Sequence, residues 1–199
     1  MTLTTWVAGV FLVLVSVQRL TETFARRGTM PGQRQMGWSF YAFFALHSII
    51  IIGSYAELLA VRRTLEVGWC MFGLLLYLAS VVLRNVAIRT LGKFWSLHVE
   101  IRQQHQLVRA GVYEYVRHPA YAAIVLEVLS IPLAVNAWWT MLFAAVTYVP
   151  LLVLRMRWEE KALVKKFGDV YCQYQSEVGA LVPRWSSLRK TTLEHDTRT

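Results

Sequence analysis

Long apolar blocks are the feature that most constrains this chain. Five of them occupy residues 3–17, 38–61, 67–86, 119–135 and 138–154, with polar segments between them. A helix rises about 1.5 Å per residue, so blocks of this kind have roughly the length that crosses the ~30 Å hydrocarbon core of a bilayer. Hydrophobic residues make up 56% of the chain and charged residues only 17%, which excludes an ordinary soluble domain. The sequence predicts an all-α integral membrane protein with about five transmembrane helices.

The connection between the fourth and fifth blocks is the shortest, because only Asn136 and Ala137 separate them. Pro119 begins the fourth block. Proline is well tolerated at a helix start, because the N–H group that it lacks would have no partner within the helix there. So short a turn predicts that these two blocks form an antiparallel helical hairpin.

The net charge of +9 is distributed over the segments that flank the apolar blocks. If the N-terminus lies outside, cytoplasmic segments hold 19 of the 21 Lys and Arg residues, and only Arg62 and Arg63 lie outside. The positive-inside rule therefore predicts a cytoplasmic C-terminus. Anionic lipid explains the charge better than nucleic acid does. A short chain of five spans also favours a prokaryotic cell membrane.

Two polar segments carry residues suited to chemistry. The first is HQLVRAGVYEYVRHPAY, residues 105–121, and the second is RMRWEEKALVKKFGDVY, residues 155–171. His118 lies just before a predicted helix start, where free N–H groups favour negative charge, and Tyr121 shares its face. Both residues could instead be simple anchors at the membrane interface.

Arg155 and Glu159 are four residues apart, which places them on one face of a helix. They could form part of a site, or they could simply form an ion pair within the helix. Glu160 points elsewhere and is predicted to be a solvated or headgroup-facing charge. A stripe of apolar side chains then predicts a C-terminal amphipathic helix: Leu163, Phe167, Tyr171 and Tyr174.

Other polar residues leave less specific signals. His47 and Glu57 lie inside the second block and could line a polar pocket or simply face the bundle interior. Cys70 and Cys172 are far apart in the chain, so we expect neither a disulfide nor a metal site.

The order and spacing of the two polar segments resemble a known family. The pattern H-x-L-V-x-x-G-V-Y-x-x-x-R-H-P-x-Y, followed after the hairpin by R-x-x-x-E-E-x-x-L-x-x-x-F-G-x-x-Y-x-x-Y, is similar to the isoprenylcysteine carboxyl methyltransferase family. It also belongs to a wider group that includes phospholipid methyltransferases. The resemblance implies methyl transfer from S-adenosyl-L-methionine to a lipophilic or lipid-modified acceptor, in a helical membrane bundle with a cytoplasmic cofactor-binding cap.

Carried over by position, the resemblance assigns Arg155 and Glu159 to catalysis, with Arg155 against the acceptor. The resemblance also implies that a set of residues borders the cofactor: His98, His105, Gln106, Leu107, Val108, Tyr113, His118, Pro119, Ala120, Tyr121 and Glu159. The chain departs from the family pattern at Ala123, where Gly is common, and at His98, where some eukaryotic members have Gln. These departures concern local details of the pocket.

The resemblance, which covers roughly residues 91–185, also suggests how the chain divides. We expect three membrane helices in residues 1–90, a methyltransferase core in residues 91–185 and a disordered tail in residues 186–199. Arg155 suits an anionic oxygen and would repel a protonated amine. We therefore expect O-methylation of a carboxylate or hydroxyl, including a prenylcysteine-like carboxylate.

Two other functions stay open from the residues alone. An NADPH-dependent membrane reductase of the sterol-reductase type ends in a related histidine-proline-tyrosine module, and saturable NADPH binding would favour it. A non-catalytic membrane scaffold or small transporter would instead tolerate the Arg155→Ala, Glu159→Ala double variant.

Overall fold

The computed structural model of the chain describes residues 3–24, 33–35, 37–61, 65–92, 99–101 and 107–184. The predicted tail, residues 186–199, lies outside these ranges. The helices within them are α1 (Leu3–Phe24), α2 (Gly37–Val61), α3 (Val67–Leu91), α4 (Pro119–Ala134), α5 (Trp138–Phe167) and α6 (Asp169–Glu177). Among the described residues, α1, α2, α3 and α5 are long and apolar enough to cross a membrane, and α4 is a shorter apolar helix. The predicted all-α architecture is confirmed, and the chain is a multi-pass integral membrane protein.

Two three-residue strands were not predicted. Strand β1 (Gln33–Gln35) lies between α1 and α2, strand β2 (Val99–Ile101) lies between α3 and α4, and the two pair in antiparallel fashion. Three residues are too few to show the alternation by which a strand is recognised in a sequence. The pairing brings these two interhelical connections to the same end of the bundle.

The opposite end of the bundle is organised by the predicted hairpin, which is confirmed. Asn136 turns the chain with a φ of 54°, a left-handed conformation that asparagine tolerates. Its Oδ1 accepts a 2.7 Å hydrogen bond from the N–H of Glu66. Glu57 of α2 accepts hydrogen bonds from the N–H groups of Trp139, at 3.2 Å, and Thr140, at 2.9 Å. Glu57 therefore caps free N–H groups at the start of α5.

Helices α3 and α4 make the most extensive interhelical contact, and Gly73 permits it. A methyl group on Gly73 would lie 2.5 Å from the backbone nitrogen of Ala134. Because no side chain fits at that distance, the two backbones approach each other closely. This contact holds α4, which begins with the last three residues of the first polar segment, against α3.

The polar segment after Arg155 is not a separate helix. Helix α5 continues from the membrane span to Phe167, and its 30 residues are about 45 Å long. It ends at Gly168, whose φ of 55° favours glycine, and α6 begins at the next residue. The prediction of one C-terminal amphipathic helix is therefore corrected to two helices. The predicted stripe still forms one apolar cluster: Leu163, Phe167, Tyr171 and Tyr174.

The apolar core lies between the helices, and the outer surface of the bundle is also apolar. One buried cluster joins α2, α4 and α5 and includes Phe43, Ile50, Val128, Tyr148 and Leu152. Large exposed apolar side chains occur on α1, α2, α3 and α5. Such a surface is expected where helices face lipid rather than water.

Candidate functional site

The start of α4 is held by the segment that follows α6. The N–H groups of Arg117 and His118 each donate a 2.9 Å hydrogen bond to a carbonyl of residues 179–180. Pro119 is fully buried at the first helical position, and Ala120 beside it is half-buried. The side chains of the first turn therefore project from a fixed backbone.

Arg117 and Glu160 form a clasp between the start of α4 and the extended part of α5. The Arg117 Nε and Nη2 atoms lie 3.0 and 2.7 Å from Glu160 Oε1, and His118 Nε2 lies 3.1 Å from the same oxygen. Arg117 also donates to the carbonyls of Gln175 and Val178 at the end of α6. The side chain of Glu160 is only 15% exposed. The prediction that Glu160 is a solvated or headgroup-facing charge is therefore wrong.

Glu159, the preceding residue of α5, has a different partner. The Tyr121 hydroxyl donates a 2.6 Å hydrogen bond to Glu159 Oε2, and the rings of Tyr121 and His118 are 5.5 Å apart. The Arg155 guanidinium carbon lies 5.9 Å from the centroid of the Tyr121 ring and 5.4 Å from that of Phe43. Tyr121 thus contacts both members of the predicted Arg155 and Glu159 pair. Phe43 lies in an apolar block, where no sequence pattern distinguishes it from its neighbours.

The remaining predicted residues lie toward α6 or outside the described ranges. Tyr113 is buried in the 3₁₀ helix Gly111–Glu114, and its carbonyl accepts a hydrogen bond from the Tyr174 hydroxyl. Leu107 packs against the apolar cluster of α5 and α6, and Val108 next to it is half-buried. The other three predicted cofactor residues lie outside the described residues: His98, His105 and Gln106.

Buried tyrosines surround the polar groups at this end of the molecule. Burial raises the pKa of Tyr174 to about 12. Burial also raises the pKa of Tyr113, and the nearby Glu159 carboxylate raises it further. The pKa of Tyr171 is raised by burial and then by Glu160. These hydroxyls therefore stay neutral at physiological pH.

A second group of charged side chains, the interhelical ion cluster, consists of Arg19, Glu22, His47, Arg84 and Glu127. Glu127 of α4 is 0% exposed and pairs with Arg84 of α3 and, at 3.2 Å, with the Nε of Arg19 of α1. Arg84 also lies 2.7 Å from Glu22, and the Arg19 Nε donates a 3.3 Å hydrogen bond to His47 Nε2 of α2. The cluster therefore joins α4 to the three preceding helices.

One feature of the sequence does indicate this cluster. Glu127 is the only charged residue between positions 119 and 135. A carboxylate inside a membrane segment is costly unless it is paired, so its presence alone indicates buried basic partners. The sequence alone does not identify those partners. Arg19 and Arg84 lie near the ends of apolar blocks, where the positive-inside rule already accounts for basic residues.

The part of the chain that forms this site is similar to known proteins. The profile of the isoprenylcysteine carboxyl methyltransferase family matches residues 72–165, which include α4 and most of α5. An uncharacterized Bacillus subtilis protein, YpbQ, is 30% identical over 76% of this chain and 94% of its own. Protein-S-isoprenylcysteine O-methyltransferase B of Arabidopsis thaliana is 30% identical over 70% of this chain and 73% of that enzyme.

The fold is also similar to a solved structure, that of a eukaryotic intramembrane Ras methyltransferase, isoprenylcysteine carboxyl methyltransferase. The TM-score is 0.58 and the sequence identity is 24%, over 77% of this chain and 55% of that one. This chain thus spans little more than half the length of that enzyme. The Arabidopsis relative shows that the chain belongs to the isoprenylcysteine carboxyl methyltransferase family, and the profile match agrees with this.

Proposed function

We propose that this chain transfers a methyl group from S-adenosylmethionine to an oxygen of a lipophilic acceptor, with a prenylcysteine-like carboxylate as the first candidate. One observation carries the proposal beyond family membership: the Tyr121–Glu159 hydrogen bond beside the Arg155 guanidinium. This arrangement brings a carboxylate and a guanidinium together at the end of an apolar bundle. The name of the Arabidopsis relative describes O-methylation of a prenylated cysteine, which is a reaction of this kind.

The residues around Tyr121 suit a sulfonium cofactor. S-Adenosylmethionine is positively charged at sulfur, and the Glu159 carboxylate would balance that charge. The rings of Tyr113 and Tyr121 would add neutral π faces, which attract cations within about 6 Å. We therefore assign Glu159, Tyr121 and Tyr113 to the cofactor side of the site.

The chemistry requires little beyond alignment of the two reactants. When bound, the sulfonium supplies a methyl group that is already activated for displacement. The protein then has to bind the donor, orient the acceptor and exclude water. Tyr121 would fix the Glu159 carboxylate through its hydrogen bond. Arg155 would hold an acceptor oxyanion with the forked N–H donors of its guanidinium.

A carboxylate acceptor requires no proton transfer, whereas a hydroxyl acceptor requires a base. We propose Glu159 for that task, because it lies one helical turn from Arg155. His118 is a weaker candidate, since its Nε2 is already engaged with Glu160.

We further propose that this end of the bundle faces the cytoplasm. The pairing of β1 with β2 and the Arg117–Glu160 clasp both support this orientation, because they join the three segments that hold 19 of the 21 Lys and Arg residues. Cys172 of α6 is exposed and offers a direct test. In a Cys70→Ser variant, a membrane-impermeant maleimide should label Cys172 in inverted vesicles, and labelling of Cys172 in intact cells would contradict the proposed orientation.

The activity itself is tested with purified protein in lipid nanodiscs and methyl-tritiated S-adenosylmethionine. We expect labelling of an S-farnesylated N-acetylcysteine, or of a lipid in the host extract, and release of labelled methanol by base if the product is an ester. Absence of both cofactor binding at millimolar concentration and label transfer would refute the proposal.

A further inference from the structure

We infer that Phe43 of α2 is a positioning residue for the acceptor, because its ring orients the Arg155 guanidinium. The inference rests on the proposed function, since it takes Arg155 to be the group that holds the acceptor. It extends the site beyond the residues that the family resemblance assigns, to a helix from the N-terminal half of the chain.

The guanidinium of Arg155 is in contact with two aromatic rings from two different helices. Its central carbon lies 5.4 Å from the Phe43 ring centroid and 5.9 Å from the Tyr121 ring centroid. Both distances are within the range of a cation–π contact. A planar guanidinium presents its N–H donors in its own plane, so rings that fix the plane also fix the directions in which it can bind an oxygen.

The two rings differ in what else they contact. Tyr121 is hydrogen-bonded to Glu159, on the side we assign to the cofactor. Phe43 is a buried member of the apolar cluster with Val128 and Leu152 inside the bundle, whereas Tyr121 packs against that cluster and is only partly buried. An acceptor with an apolar tail would reach Arg155 from that apolar side, so Phe43 is the ring that the acceptor would meet.

Phe43 is itself held rigidly. It is 8% exposed and packs edge-on against Tyr148, with the ring centroids 5.0 Å apart. His47, one turn further along α2, lies 6.0 Å from the same Tyr148 ring and receives the hydrogen bond from Arg19. The ring that orients Arg155 is therefore supported by the interhelical ion cluster.

Helix α2 lies outside residues 72–165, the part of the chain that the family profile matches. The contact with Arg155 therefore comes from a part of the chain that the family profile does not match. Family members with different residues at this place in α2 would present the same arginine to different acceptors.

A purely structural explanation is that Phe43 only fills the core. Under that explanation Phe43→Leu would lower the melting temperature, and the activity per folded molecule would not change. The acceptor dependence of the kinetics separates the two explanations, because core packing alone does not act through Arg155.

The test compares Phe43→Leu with Phe44→Leu, the same substitution at the next residue. Phe44 is 43% exposed and stacks on Phe40, so it is a matched control on the same helix. We expect Phe43→Leu to lower kcat/KM for the S-farnesylated N-acetylcysteine by about tenfold, mainly through KM. The Kd for S-adenosylhomocysteine should change less than about twofold, and Phe44→Leu should match the wild type. The host lipid extract replaces the probe if the wild type does not accept the probe.

A double-variant cycle then shows whether Phe43 acts through Arg155. In the Arg155→Lys background, Phe43→Leu should cause little further loss. Equal losses in both backgrounds, or equal effects of Phe43→Leu and Phe44→Leu, would overturn the inference. If Phe43→Leu is too unstable to purify, Phe43→Met provides the same comparison with a flexible apolar side chain. A wild type that neither binds S-adenosylhomocysteine nor transfers methyl groups would refute the proposed function as well, whereas failure of the inference alone leaves the wild type active.

Discussion

The Tyr121 hydroxyl donates a 2.6 Å hydrogen bond to Glu159 Oε2, and this bond joins the first turn of α4 to the extension of α5. The neighbouring carboxylate, Glu160, is bound instead to Arg117 and His118. Two adjacent glutamates therefore have separate partners. We assign Glu160 to holding the helices together and Glu159 to the cofactor, and the two assignments can be tested separately.

Tyr121→Phe removes the hydroxyl that binds Glu159 and keeps the ring beside Arg155. A hydrogen bond to a charged group contributes about 1.5–3 kcal/mol. We expect the Kd for S-adenosylmethionine to rise by roughly tenfold or more, because the carboxylate that balances its sulfonium charge loses its fixed position. Isothermal titration calorimetry measures this effect, and an unchanged Kd would contradict the role given to Tyr121.

Arg155→Lys keeps the positive charge but loses the planar fork of donors. We expect kcat/KM for the acceptor to fall by about 10- to 100-fold while the Kd for S-adenosylhomocysteine stays near the wild-type value. Arg157→Lys is the control, because Arg157 is exposed two residues further along the same helix. Similar kinetics for both variants would argue against forked binding by Arg155.

Glu160→Gln should act on stability more than on cofactor binding. The substitution leaves the Arg117 guanidinium without its carboxylate in a largely buried position. We expect the free energy of unfolding to fall by about 1.5–3 kcal/mol, which a denaturant titration in detergent would measure. Glu159→Gln should show the opposite pattern, with weaker cofactor binding and a smaller loss of stability. If both variants lost only cofactor binding, the clasp would not be structural.

Glu127→Gln should be among the most destabilising single changes in the bundle. It removes the charge that Arg19 and Arg84 share in a fully buried position. Breaking one side of a buried ion pair costs about 3–5 kcal/mol, because the remaining charges stay desolvated. A lower melting temperature in detergent is the expected result. Glu66→Gln is the matched control, since Glu66 is exposed, and a similar shift in both variants would contradict this prediction.

The buried tyrosines predict a loss of stability in alkaline solution. Burial raises the pKa of Tyr174 to about 12, and the pKa values of Tyr113 and Tyr171 are raised as well. Because the folded state favours the neutral phenol, this stabilisation is fully present below the unfolded pKa of about 10 and is lost as the pH rises from about 10 toward 12. Melting curves between pH 9 and 12 would record the loss. Tyr174→Phe should show a shallower decline than the wild type, and an identical decline would refute the assignment to Tyr174.

Local residue patterns were enough to predict the helices and to group residues on one face of the candidate site. The apolar blocks predicted the membrane helices, and the two-residue connection at Asn136 predicted the hairpin. Helical spacing also placed Arg155 with Glu159 and His118 with Tyr121. These predictions depend on interactions within one helix or one turn, which a sequence displays directly.

Only the tertiary structure decided which residues meet across the helices. Neighbouring residues on a helix project about 100° apart, so the rotation of α5 against α4 determined that Tyr121 binds Glu159 and that Arg117 and His118 bind Glu160. That rotation depends on packing between segments far apart in the chain. The same packing brought Phe43 to Arg155 and joined Glu127 to three other helices, because the partners of a buried charge are set by the assembled bundle rather than by its own segment.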